Sequence, residues 1–297
     1  MRSHRRLAIL DAPSNLGLKP PAPDREPGVR YMPNVLREHG LLTRLRAEDC
    51  GTVVPPPYVH SIDSETKVRN ARAIHDYSLA LAGSIGRLLY RGFFPIVPGG
   101  DCSILLGVGL ALRRRGNFGL LFIDGHTDLL TPDNSETGGA AGMDLALVTG
   151  TGPRLLTSIE DLAPFVKPED VAVLGYRWPD PDSRSIALPA EPMTGLPLGS
   201  VQSNGADYVA AKVVKRFESL SFWLHLDVDV LNPAWMSAVD SPDPGGMTPD
   251  DLLTIVRSAV QSSRCVGMEI TIYDPTLDPD RQGARLIVDL LSKALQE

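Results

Sequence analysis

Three side chains of metal-ligand type, Asp124, His126 and Asp128, close the run Phe122-Ile123-Asp124-Gly125-His126-Thr127-Asp128 at a spacing of two. On an extended backbone that spacing sends all three to one face. A second apolar run, Phe222 to Asp229, carries His225, Asp227 and Asp229 in the same alternation. Carboxylates entering an apolar interior are costly unless something positive compensates them. Two apolar strands that both finish in alternating acids therefore point to a shared cation. Donor sets rich in carboxylate and poor in nitrogen suit hard or borderline divalent ions such as Mn(II). Two such ions lower the pKa of a bridging water and supply hydroxide near neutral pH. The competing reading makes the same acids helix caps or surface-loop residues.

Positioning those side chains requires elements that end together. Strand-like apolar runs alternate with helix-like stretches through the chain, the pattern of a parallel sheet covered on both faces. Strands are expected at Leu7–Leu10, Phe93–Val97, Phe118–Asp124, Val171–Gly175, Phe222–Asp229 and Cys265–Ile272. Helices are expected over 33–39, 65–90, 103–115, 207–219, 249–261 and 282–296, with Pro-rich loops at 18–28 and 179–199. The expected fold is α/β: one doubly wound parallel sheet flanked by helices, forming a single domain over residues 1–297. Such sheets bind ligands beyond the carboxyl ends of their strands, where the Asp/His clusters lie.

Bulk properties narrow the classes. The chain has 297 residues, 43% hydrophobic and 22% charged, as expected for a globular protein with a sizeable core. Its net charge of −7 and a longest basic run of Arg113-Arg114-Arg115 argue against a nucleic-acid partner. Cys50, Cys102 and Cys265 form no CxxC pair and no even framework. No apolar run reaches the roughly 18 residues of a membrane span, and the N-terminal apolar stretch is short for a secretory signal. A cytoplasmic protein with no membrane partner is expected.

Taken together, Gly99-Gly100-Asp101-Cys102-Ser103, Asp124-Gly125-His126-Thr127-Asp128 and Asp227-Val228-Asp229 resemble the ureohydrolase family of arginases, agmatinases, guanidinobutyrases and formiminoglutamases. Asp11-Ala12-Pro13, Gly17, Gly28-Val29 and Leu36-Arg37 are similar to the family's opening segment. The resemblance implies an arginase-like three-layer fold and a pair of Mn(II) ions bridged by hydroxide. It makes Asp124, His126, Asp128, Asp227 and Asp229 metal ligands. The reaction it implies is attack on the central carbon of a guanidinium or amidine, splitting a C–N bond. A homo-oligomer, trimer or hexamer, is the assembly implied.

Departures from the family pattern shape the rest. Cys102 stands where the family has a metal-binding histidine. A thiolate there is a softer ligand that biases one site toward zinc or iron; alternatively Cys102 is a small buried residue and one site is weakened. Ala141 stands where arginases carry a histidine assigned to proton transfer, and Ile272 where they carry the guanidinium-binding glutamate. Glu269, three residues earlier, points to the opposite face on a regular strand, unless a bulge restores it. It stands as a candidate for guanidinium contact or as a carboxylate behind the site. His225, two before Asp227, shares the face of the ligating aspartates and is a candidate partner to the ligands or proton shuttle. Asp180 falls where arginases hold the substrate's α-amino group, and Ser241 where the family has a hydroxyl near the guanidinium. A Pro-flanked turn explains Asp180 equally well.

The sequence thus points to a binuclear-metal amidinohydrolase acting on a small guanidino or amidino amino acid. N-hydroxy-L-arginine is preferred, since a less basic head group relaxes the need for both missing residues; formiminoglutamate and guanidino acids follow. From another class, the replaced histidines suit a catalytically weak metal-binding subunit partnering an active paralogue. Fold kinship alone suggests a deacetylase-like amide hydrolase.

Overall fold

The computed structural model describes residues 5–178, 187–189 and 192–296. Eight strands make one parallel sheet: β1 (Arg6–Asp11), β2 (Glu48–Thr52), β3 (Phe93–Pro98), β4 (Gly119–Ile123), β5 (Val171–Leu174), β6 (Thr194–Leu196), β7 (Phe222–Asp227) and β8 (Cys265–Thr271). Their order across the sheet is β2-β1-β3-β8-β7-β4-β5-β6. From β4 the chain moves outward to β5, whereas from β7 it moves the opposite way to β8. That reversal between neighbours opens a crevice at the carboxyl ends of β4 and β7.

Alternation along the strands divides the core in two. Phe222, Leu224 and Leu226 of β7 join Leu121 and Ile123 of β4 under the helices Ala206–Arg216, Pro249–Gln261 and Gln282–Leu295. Trp223 and Phe122 face the other way, toward Ala71–Tyr90 and Leu105–Arg113. His225 and Asp227 share Trp223's face by parity, as do Glu269 and Thr271, which pair with them directly. Polar side chains therefore enter the second core from two adjacent strands.

The expected architecture is the observed one. Two strands were not expected: β2 is a polar edge strand and β6 is three residues long inside the stretch read as a Pro-rich loop. Neither carries the apolar run that marks a buried strand. The long helix begins at Ala71, not Glu65, because residues 63–70 fold into turns around the Asp63 carboxylate.

Candidate metal centre

Four adjacent strands, β3, β8, β7 and β4, deliver the site from their carboxyl ends. After β3 the chain turns sharply at Gly100, where a β-carbon would lie 1.6 Å from the Ser14 carbonyl oxygen, so no side chain fits. Asp101 then accepts from Ser14 Oγ at 2.7 Å and Ser103 N at 2.9 Å. Asp101 thus fixes the loop that presents Cys102. The Cys102 thiol donates to Asp227 Oδ2 at 3.0 Å, and Thr271 Oγ1 lies 3.1 Å from its sulfur.

The alternation argument for the ligands needs correcting. β4 ends at Ile123, and the run from Asp124 to Asp128 is a loop with Asp128 in the left-handed region, φ 45°. Its acids converge because the loop folds on its own carboxylates: Asp124 Oδ1 accepts from His126 N at 2.6 Å. Asp227 does the same for the 3-10 turn Val228–Val230, accepting from Asp229 N at 2.7 Å. Asp229 in turn accepts from Gly125 N at 3.0 Å and lies 2.9 Å from His126 Nδ1, linking the two loops.

Cys102, Asp124 and Asp128 bring one donor atom each within 4.8 Å of one another, and Asp124, His126 and Asp229 do so beside them. Asp124 belongs to both groups, and its Oδ2 is buried without a hydrogen-bond partner. Two neighbouring oxygen-rich groups sharing one carboxylate fit a pair of divalent ions. The electrostatics agree. Burial first, then Asp229 and Asp124, pushes the Asp227 carboxyl well above the usual carboxylate range; burial with Asp124 does the same to Asp128. Burial opposes charge on His126, yet Asp229, Asp124 and Asp243 outweigh it and hold the imidazole pKa well above its ordinary value. Such crowding is costly until cations neutralise it.

Above these donors opens a cavity of about 400 Å³. Cys102, His126, Asp128, Asp227 and Asp229 lie on its surface, with Ser241, Ala141 and Ile272 on the surrounding wall.

Residues 7–296 match the Arginase family. The chain belongs to the Arginase family. Arginase of Bacillus caldovelox is 26% identical over 302 residues, covering 98% of each chain, and that of Brevibacillus brevis is 28% identical over 298 residues, covering 97% of each. The solved Bacillus caldovelox arginase superposes with a TM-score of 0.86 at 25% identity, over 99% of both chains. Proclavaminate amidino hydrolase of Streptomyces clavuligerus, at 19% identity, shares the fold, with a TM-score of 0.72 over 98% of this chain and 91% of its own. As a member of this binuclear-metal family the chain is a metal-dependent amidinohydrolase.

Against the family pattern the structure relocates two candidates. Glu269 does not reach the cavity; β8 runs regularly past it, and no bulge turns it toward the wall. Its Oε1 lies 2.8 Å from His225 Nδ1, and both side chains are fully buried. His225 stacks on Phe122 at 4.5 Å, one layer beneath the floor. Ile272, just past the strand, holds φ 76°, rare for a β-branched residue, and faces the cavity. Ser241 lines the wall, its Oγ donating to Asp240 Oδ2 at 3.2 Å. Asp180 lies outside the described residues.

Sequence reasoning missed three residues. Asp243 Oδ2 sits 3.1 Å from His126 Nε2 and orients the ring. Arg177, 3% exposed, donates to the carbonyls of Asp229 at 2.8 Å and Pro244 at 3.1 Å, holding the Asp229 turn. Asp144, fully buried, stands beside Asp128, and the two carboxyls are hydrogen-bonded to each other. An Asp so soon after the Gly-Met pair was the available signal, since acids seldom follow an apolar run inward.

Proposed function

We propose that this amidinohydrolase cleaves a linear C–N bond in N-hydroxy-L-arginine or a closely related arginine derivative, with Mn(II) as its metal. The observation that carries the reading is the cavity wall. Ala141 and Ile272 present apolar groups there, where arginases are understood to use a histidine and a glutamate, and Glu269 is committed to His225 below. A wall without that carboxylate fits a head group less basic than guanidinium.

Asp124, His126, Asp128 and Asp229 would hold the two ions, with Cys102 as the additional donor and Asp227 joining them from the cavity surface. When bound, the ions supply hydroxide at neutral pH and polarise the substrate's head group. The remaining work falls to side chains. Asp128, at the cavity surface and next to Asp144, is placed to relay a proton to the departing nitrogen. His126 is kept in register by Asp243 on its far nitrogen. Ser241 contacts the head group from the wall, and Lys19 and Glu136 on the cavity surface match the carboxylate and ammonium of an amino acid. His225 and Glu269 support the floor from beneath. Asp180 reads the α-amino group. The working form is a homo-oligomer, checked by solution mass.

The test offers Mn-loaded protein L-arginine, N-hydroxy-L-arginine, agmatine, guanidinobutyrate and formiminoglutamate in parallel, measuring product release. Fastest turnover of N-hydroxy-L-arginine supports the reading, and preference for L-arginine overturns the substrate. Silence on all five with both metals in place transfers weight to a partner-subunit role.

A further inference from the structure

Beneath the cavity floor lies a second group of donors, two of which, Asp144 and His225, the binuclear centre does not use. Cys102 Sγ, an Asp144 carboxylate oxygen and a His225 ring nitrogen all lie within 4.8 Å of one another, and all three residues are buried. Asp144 and His225 are 0% exposed. His225 Nε2 has no hydrogen-bond partner, and the Asp144 carboxyl has none apart from the neighbouring carboxyl of Asp128. Buried polar atoms are almost always satisfied, so an orphaned imidazole nitrogen beside a thiol and a buried carboxyl calls for a ligand.

We propose that Cys102, Asp144 and His225 form a metal site of their own, one layer below the carboxylate centre, for a borderline divalent ion of the zinc, iron(II) or cobalt(II) type. The donor chemistry separates it from its neighbour. One thiolate, one imidazole and one carboxylate make a softer set than the oxygen-rich cluster above, and softness rather than raw affinity selects zinc or iron over manganese. Three protein donors with a fourth place for water is a common arrangement for zinc.

The surroundings are those of a built site. Glu269 engages His225 Nδ1 at 2.8 Å and leaves Nε2 free to ligate, so Glu269 is the positioning residue for the imidazole. Phe122 stacks on the ring with 7° between planes and fixes its rotation. Register supplies both contacts: His225 is paired with Phe122 on β4 and Glu269 on β8. Asp144 opens the helix Asp144–Val148, whose position is tied to the metal loop by Ala146 N donating to Asp128 O at 3.2 Å. Donors about 2.0–2.3 Å from a zinc ion lie within roughly 4 Å of each other, so the group closes by less than an ångström of side-chain movement. Cys102 lines the cavity, which gives the ion a way in. The same thiol belongs to the Cys102–Asp124–Asp128 group, so it is the one donor common to both levels.

Crystals of the unmutated protein soaked with zinc would be measured on either side of the zinc absorption edge. An anomalous peak enclosed by Cys102, Asp144 and His225 is expected; zinc peaks confined to the Asp124, His126, Asp227 and Asp229 cluster overturn the proposal. In solution, cobalt(II)-loaded protein should show an intense near-ultraviolet thiolate-to-cobalt band. His225→Asn and Asp144→Asn should weaken cobalt binding in that band at least tenfold, and Glu269→Gln by about 10- to 100-fold through a loosened imidazole. A band that keeps its intensity and affinity in both His225→Asn and Asp144→Asn assigns the thiol to the upper centre alone, and a band missing from the unmutated protein shows that the thiol binds no cobalt; either result overturns the site. None of these readouts depends on turnover, so an inactive enzyme leaves the test intact.

Discussion

At the residue scale the centre is governed by protons competing with metal. Asp124, Asp128, Asp144 and Asp227 all have pKa values raised chiefly by burial, with the neighbouring acids adding to it. Asp229 runs the other way: burial raises it, but the His126 charge and hydrogen bond carry it below its usual value. A carboxyl whose folded pKa is raised stabilises the metal-free fold fully below its unfolded pKa, and that contribution is lost as pH rises toward the folded pKa. Metal must displace the same protons, together with the one on His126. Metal loading should therefore release protons, seen by calorimetry in buffers of different ionisation enthalpy; zero release would contradict the protonated cluster. The melting gap between loaded and metal-free protein should widen from about pH 5.5 to 8. Asp227→Asn relieves crowding while removing a donor. It should cut bound manganese by at least one equivalent and activity by about 1,000-fold or more, yet leave the metal-free melting point equal or higher. A lower metal-free melting point would show that Asp227 stabilises the fold by itself.

At the element scale, loops rather than strands place the ligands, and a few buried contacts set the loops. Gly125 admits the Arg177 guanidinium, since a β-carbon there would lie 1.8 Å from Nη1. Arg177 then clamps the carbonyl of Asp229. Arg177→Met keeps the bulk but loses those bonds, and metal affinity should fall about 10- to 100-fold with the fold retained. A metal titration beside a far-ultraviolet spectrum checks both halves. Gly100→Ala drives a methyl into the Ser14 carbonyl. Its cost should sit at or above the upper end of the roughly 1–3 kcal/mol of overpacking, read by urea unfolding.

Across the whole molecule, burial controls which groups solvent reaches. Cys102 and Cys265 are 1% and 2% exposed, and burial pushes the Cys265 thiol up to about 12. Cys50 is half-buried on the edge strand. A thiol reagent at pH 8 should label one cysteine in the native protein and all three after denaturation; rapid native labelling of a second would contradict the burial described. Among the described residues no helix is long and apolar enough to cross a membrane. The chain matches its arginase relatives over nearly their full lengths, so the family assignment applies to the whole αβ framework and not to a fragment of it.

The sequence by itself determined the sheet and set the candidate donors at the ends of its strands. Short β-branched and aromatic runs such as Phe93–Val97 and Phe222–Leu226, bounded by turn residues, read as buried strands, and acids placed at their ends meet where parallel strands end together. The edge strand β2 and the short β6 escaped because pairing to a neighbour, not hydrophobicity, makes them strands. Spacing in the sequence also suggested that alternation aligned Asp124, His126 and Asp128, whereas tertiary structure aligns them through a loop folded on Asp124's own carboxylate. Only the register of β7 against β8 could decide that Glu269 meets His225 instead of the substrate wall. Only the return of the 140–146 segment beside Asp128 could bring Asp144 to Cys102. Local pattern reports what one strand or helix buries; which buried groups face each other depends on contacts between residues more than 40 positions apart for Asp144 and Cys102, and over 120 for Cys102 and Asp227.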